Sequence, residues 1–155
     1  IGQKDLLIET LSYSNIDYKL TIVGEGSLKL KLIKMIYQKK LDNKISIIGY
    51  KSNPYNIIKE SDFVIQLSRW EGVPNIILES LVLGKKVIFT DIYNIFSSFN
   101  LNFKNLFIIK DSMDIIKIIK DTKLQVNKDF EYSTLPEQFE LDNVIINLDN
   151  ILKKI

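Results

Sequence analysis

A chain of 155 residues, 46% hydrophobic and 26% charged, has interior enough for one globular domain with its own core. A net charge of +2 is too small to mark a nucleic-acid or acidic-membrane binder, and the lack of cysteine excludes a disulfide frame, a thiolate nucleophile and a zinc–thiolate site. Histidine is absent too, so any chemistry run by this chain must use carboxylates, lysines, hydroxyls or backbone dipoles. No apolar run reaches the length of a bilayer span, no signal-peptide pattern opens the chain, and the first residue is Ile1. The expectation is a piece of a longer, cytoplasmic protein.

In chain order, Lys4 to Ser14 carries Leu6, Leu7, Ile8 and Leu11 in a short helical pattern. Tyr18 to Val23 is β-rich and runs into Gly24-Glu25-Gly26-Ser27, which reads as a tight turn first and a ligand contact second. Ser27 is placed to cap a helix to about Lys40, with Leu28, Leu32, Met35 and Ile36 on one face and lysines on the other. Ile45 to Ile48 is a short strand ending at Gly49-Tyr50, Pro54 starts a brief helix to Glu60, and Asp62 to Leu67 is the next strand.

Pro74-Asn75 opens a longer helix that Gly84 closes, and Lys86 to Thr90 returns as a strand. Asp91 to Asn105 has no clear period, Leu106 to Ile109 reads as a strand, and Asp111 caps a helix holding Ile115, Ile118 and Ile119. Thr122 to Leu135 is a polar connection. Residues 136–155 read as a terminal helix, with Leu141, Val144, Ile145, Leu148, Ile151, Leu152 and Ile155 on one stripe. Strands and helices alternating at such short intervals predict a single α/β domain over 1–155, built on parallel strands with crossover helices.

The stretch Ser68 to Gly84, SRWEGVPNIILESLVLG, carries the chemistry. It places a loop with Glu71 after a buried strand and before a helix amino terminus, where α/β sheets bind anions. Glu79 lies among Ile76, Ile77, Leu78, Leu81, Val82 and Leu83, so it reads either as a buried carboxylate needing ligand hydroxyls or as part of a narrow polar stripe with Ser80 and Asn75. Glu71-Gly72 by itself is equally a simple turn. Arg69 and Trp70 read as pocket-shaping or as plain surface.

SRWEGVPNIILESLVLGKKVIFTD resembles the segment of the retaining glycosyltransferases of family four in which a glutamate, seven residues and a second glutamate bind the nucleotide sugar. LTIVGEGSL at Leu20 to Leu28 resembles that family's upstream strand and Gly-acid-Gly turn. Ile45 to Gly49 and PYNIIKESD resemble the strand, turn and short helix before the motif. The likeness is clear from Lys4 to Asp91 and looser beyond, where IYNIFSSF stands in place of the family's glycine-rich loop and glutamate.

The resemblance implies a Rossmann-like three-layer α/β/α sandwich with a mainly parallel sheet, the C-terminal half of a GT-B type enzyme whose N-terminal acceptor domain, and the first strand of this domain, lie outside the chain. It gives Glu71 the donor sugar hydroxyls and Glu79 the ribose. Backbone N–H groups of Gly72, Val73, Asn75 and Ile76 go to sugar and diphosphate, and Gly49 with Tyr50 go to the turn beside the base. Tyr50 after a strand is otherwise simple packing. Lys4 matches the lysine of an Arg-to-Lys pair that clamps the diphosphate, a task otherwise given to a metal; the ordinary reading of such a lysine is solvated.

The expected function is binding of a UDP-sugar or GDP-sugar donor and transfer of a hexosyl group, with retention, to a glycan or glycolipid acceptor held by the other domain. The isolated chain is expected to be inactive. No cofactor, metal ligand or nucleic-acid partner is expected. Enzymes of this kind often serve polysaccharide assembly at the inner membrane face, which leaves room for a peripheral association of a full-length protein. The alternatives are a nucleotide-sugar epimerase of the same plan and a non-catalytic Rossmann-like binding module.

Overall fold

The computed structural model describes residues 3–67, 75–90 and 103–123. Its first unit is α1 (Lys4–Ser12), β1 (Leu20–Val23), α2 (Lys29–Gln38) and β2 (Ile45–Gly49). β1 and β2 pair in parallel, with Leu20 opposite Ile45 and a shift in register between Ile22 and Val23. The chain continues through α3 (Tyr55–Glu60), β3 (Phe63–Gln66), α4 (Asn75–Val82), β4 (Lys86–Phe89), β5 (Leu106–Ile108) and α5 (Met113–Lys123). β3, β4 and β5 form a second parallel sheet in that order. The strands are all parallel, as the alternation predicts, but among the described residues they divide into two sheets.

Alternation along β4 builds the layers. Ile88 points to one face, where it meets Leu7 and Leu11 of α1, Leu67, and Ile115 and Ile119 of α5; Val87 and Phe89 point to the other, where they meet Ile77 and Leu81 of α4. The three-stranded sheet therefore has helices on both faces, the arrangement that buries parallel strands on each side. Over β1 and β2, Ile8, Leu32 and Ile36 cover Ile22 and Ile45, while Thr21 and Ser46 on the opposite face stay exposed.

Local chemistry explains most boundaries. Gly84 takes φ +67°, and the amides of Gly84 and Lys85 close α4 on the carbonyls of Leu81 and Ser80, which no β-branched residue could do as cheaply. Asp111 accepts the Met113 amide at 2.9 Å just ahead of α5. Ser27 does not cap α2: the helix starts two residues later behind Leu28 without a side-chain cap, the Lys29 amide reaching the Gly26 carbonyl instead. The glycine turn supplies that carbonyl, which makes a hydroxyl cap unnecessary. The expected terminal helix over 136–155 lies outside the described residues.

α1 is tied to α2 by Lys31 on Asp5 at 3.0 Å, and this hydrogen bond holds the Asp5 carboxyl below the usual carboxylate range. A lowered pKa means a contribution present above the ordinary range and lost as pH falls through the lowered one. With both side chains substantially exposed it is at most about 1 kcal/mol.

Tyr18 bridges the two apolar clusters, and its buried hydroxyl has no hydrogen-bond partner among the described residues. Burial pushes its phenol pKa up, so its share of stability is present below the ordinary tyrosine pKa and lost as pH rises through the raised value. Tyr18→Phe is expected to raise stability by about 1 kcal/mol in denaturant titration and to shift the alkaline loss of structure to higher pH. A variant less stable than the parent would show that the hydroxyl is satisfied.

Candidate functional site

Lys4, the Gly24–Gly26 turn and Gly49 meet at the carboxyl ends of β1 and β2. β1 runs into Gly24 with φ +115° and β2 ends at Gly49 with φ +74°, conformations that L-residues rarely adopt, and the Gly24 amide donates to the Gly49 carbonyl at 2.7 Å. The two turns are thereby locked side by side. Glu25 reaches over Gly49: a Cβ added there would sit 2.5 Å from the Glu25 Oε1. Lys29, one helical turn on, holds that carboxylate at 3.1 Å.

Lys4, at the start of α1, is half-buried, and its Nζ donates to the Val23 carbonyl at 3.5 Å. It is not the freely solvated lysine of the ordinary reading. Together with Gly24, Glu25, Gly26, Ser27 and Lys29 it lines a cavity of about 150 Å³. Two ammonium groups, the Glu25 carboxylate that Lys29 pairs with, and the backbone of a glycine turn thus border one cavity, so that Lys4 is the cation left to meet an anion there. Lys29 escaped the sequence reading; its only signal there is the spacing of four from Glu25, which places both on one side of a first helical turn.

The other half of the candidate site is described in part. Asn75 is the first residue of α4 and is exposed, Ile76 and Glu79 are half-buried, and Ser80 is fully buried, its hydroxyl returned to the Ile76 carbonyl. The polar stripe joining Asn75, Glu79 and Ser80 is therefore incorrect: Ser80 faces the core beside Ile77 and Leu81. Neither is Glu79 the fully buried carboxylate of the other reading, because α4 presents that side to partial solvent. Tyr50 is 73% exposed, which removes the packing explanation for an aromatic after β2. Glu71, Gly72 and Val73, and with them Pro74, Arg69 and Trp70, lie outside the described residues.

Residues 4–131 match the Glycosyl transferases group 1 family, and the chain belongs to it. Its architecture corresponds to one half of a GT-B glycosyltransferase. Among relatives, the chain is 36% identical over 86 residues to the N-acetylgalactosamine-N,N'-diacetylbacillosaminyl-diphospho-undecaprenol 4-alpha-N-acetylgalactosaminyltransferase of Campylobacter jejuni, a match covering 56% of this chain and 24% of that protein. Among solved structures, Staphylococcus aureus TarM in complex with Fondaparinux, alpha-GlcNAc-glycerol and UDP superposes with a TM-score of 0.65 at 29% identity, over 82% of this chain and 26% of that one. Anabaena Alr3699/HepE in complex with UDP superposes with a TM-score of 0.76 at 16% identity, over 99% of this chain and 45% of that one, a likeness of fold. The chain thus spans less than half the length of these proteins. Among the described residues no helix is long and apolar enough to cross a membrane.

Proposed function

We propose that this chain is the donor-binding domain of a retaining glycosyltransferase that takes a nucleoside diphosphate sugar and moves its hexosyl group to a glycan or glycolipid acceptor. The observation that carries this reading is the meeting of Lys4, the Gly24–Gly26 turn and Gly49 at the carboxyl ends of parallel strands, beside a cavity bordered by the Lys4 ammonium and the Lys29–Glu25 pair. That is where open α/β sheets bind their ligands. UDP is the diphosphate to begin with, since TarM was solved with it.

In this reading Lys4 carries the diphosphate together with the N–H groups of Gly72, Val73, Asn75 and Ile76 at the start of α4. Pro74 loses nothing there, because an N–H at that position has no helical acceptor. Glu79, half-buried on α4, takes the ribose hydroxyls, Glu71 orients the donor sugar, and Gly49 with the exposed ring of Tyr50 borders the base. Charge grows on the diphosphate as the glycosidic bond breaks, so Lys4 and the helix amino terminus lower the barrier by favouring the departing group. The rest of catalysis is positioning. The acceptor is held by a domain outside this chain, so the chain alone binds donor and does not turn over.

Calorimetry with a UDP-hexose, which presents sugar, diphosphate and ribose together, tests the assignment. Lys4→Ala, Glu71→Ala and Glu79→Ala are each expected to weaken binding about tenfold, the loss of a charge-assisted hydrogen bond, while unfolding at the parent temperature without ligand. Lys120→Ala on α5 serves as the control and leaves the affinity unchanged. Unaltered binding in both glutamate variants would reject the site. A thermal-shift panel of uridine, guanosine and adenosine diphosphates then reads the base preference, and efficient transfer to an acceptor by this chain alone would overturn the division of labour.

A further inference from the structure

The Gly24–Gly26 turn presents one side chain to the cavity. Glu25 stands between the two glycines, and all three line the cavity together with Lys4 and Lys29. Gly24 is a glycine for its backbone, at φ +115°. Gly26 is not: its φ is not positive, and a Cβ added there would meet no atom within 4 Å. Glycine at that position leaves the border bare around Glu25, which is the only acid among the described residues that line the cavity.

An acid just ahead of a helix ordinarily serves the helix, by accepting its free amides or by facing the positive end of its dipole. Here both carboxylate oxygens lie on the Lys29 ammonium, at 3.1 and 3.3 Å, while α2 begins without a side-chain cap. The same carboxylate leans over Gly49, whose missing Cβ gives it room. Lys4 is its other neighbour: a Cβ on Gly24 would lie 3.6 Å from the Lys4 ammonium, and Gly24 and Glu25 are consecutive, with Cα atoms about 3.8 Å apart. Among the described residues no carboxylate pairs with Lys4, and Ile22, Leu32 and Ile47 add no charge to the lining. The border therefore carries one net positive charge, from Lys4, beside a second lysine that Glu25 neutralises.

We infer that Glu25 is a specificity-determining residue: by holding Lys29 it keeps the site at one net positive charge, so that the site favours a nucleoside diphosphate sugar over the free nucleoside diphosphate left after transfer. The inference rests on the donor-binding reading. The diphosphate of the sugar ester carries two negative charges, and loss of the sugar exposes a terminal phosphate that carries a third above about pH 6. While Lys29 is held, only Lys4 answers these charges and the third gains little. Without Glu25 the Lys29 ammonium is released, and the more highly charged product gains more from it than the donor does. A site that prefers the donor in this way lets the product go.

The test is calorimetry with UDP and with a UDP-hexose, at low salt and about pH 7.5, where the terminal phosphate is ionised. It compares the parent chain with Glu25→Gln, Glu25→Asp and the double variant Glu25→Gln/Lys29→Met. Glu25→Gln is expected to tighten both ligands and UDP the more, so that UDP gains on the UDP-hexose by about threefold or more. The gain is expected to fade in about 0.5 M salt. Glu25→Asp, which keeps the charge, and the double variant, which removes both charges, are expected to hold the parent's ratio of affinities within about twofold. Weaker binding of both ligands to Glu25→Gln overturns the inference, because Glu25 then accepts hydrogen bonds from the ligand. A ratio unchanged in Glu25→Gln, or still shifted in the double variant, overturns it as well, with the donor site itself intact. Binding of neither ligand to any of the four proteins rejects the donor site, and the inference with it.

Discussion

Ile88→Ala is expected to cost about 2–5 kcal/mol and to lower Tm by about 10 °C. Ile88 is fully buried at the centre of the three-stranded sheet and packs in one cluster with Leu7 and Leu11 of α1, Leu67, and Ile115 and Ile119 of α5. Its walls belong to a sheet and two helices whose positions other contacts hold, so the space left by three lost carbons cannot close by moving one of them. Ile108→Ala supplies the comparison. Ile108 is 45% exposed on β5, and its truncation is expected to cost under about 1 kcal/mol. Guanidinium titration of both variants decides the matter; similar losses in the two would mean that the cluster around Ile88 does not form as described.

Gly49→Ala is expected to cost about 1–2 kcal/mol and to disturb the paired Gly24 and Gly49 turns along with the fold. Two effects act there, and their sizes differ. The left-handed backbone at φ +74° penalises any Cβ by about 1–2 kcal/mol. The new methyl also meets the Glu25 carboxylate, but that is the far end of an exposed side chain, free to swing toward water at the expense of its pairing with Lys29, an exposed bridge worth under about 1 kcal/mol. Backbone strain therefore dominates. It follows that Gly49→Asn, which tolerates this conformation better, is milder than Gly49→Ala, and that adding Glu25→Ala to Gly49→Ala recovers little. A full recovery in that double variant would mean that crowding and not backbone conformation makes glycine necessary.

The residues already point to much of this architecture. Period-two apolar runs separated by Gly24, Gly49 and Gly84 mark three strand or helix ends, and all three glycines adopt positive φ. The alternation of short strands with amphipathic helices predicts parallel pairing, and both sheets are parallel. The order of the glycine turn, the short helix and the two glutamates places the chain in its family, and residues 4–131 match that family. These features are local. Each depends on a few neighbours in sequence, which is why a linear reading reaches them.

Other features were illegible for a physical reason. Ser27 has the chemistry of a helix cap, but the chain lets the Gly26 carbonyl take the Lys29 amide instead, a choice between two local partners that composition does not settle. Glu79 and Ser80 are adjacent and both polar, yet one is half-exposed and the other buried, because the packing of α4 on β4 fixes the rotation of the helix.

By itself, then, the amino-acid sequence determined the alternating elements, their glycine-bounded ends and the family. Only the tertiary structure decided that Lys4 meets Val23, 19 residues away, that the Gly24 and Gly49 turns lock together with Glu25 and Lys29 above them, and that among the described residues β1 and β3 lie in separate sheets. Local pattern sets what each segment is. The strand neighbours it acquires depend on how crossovers fold segments distant in sequence onto one another, and no short window of residues contains that information.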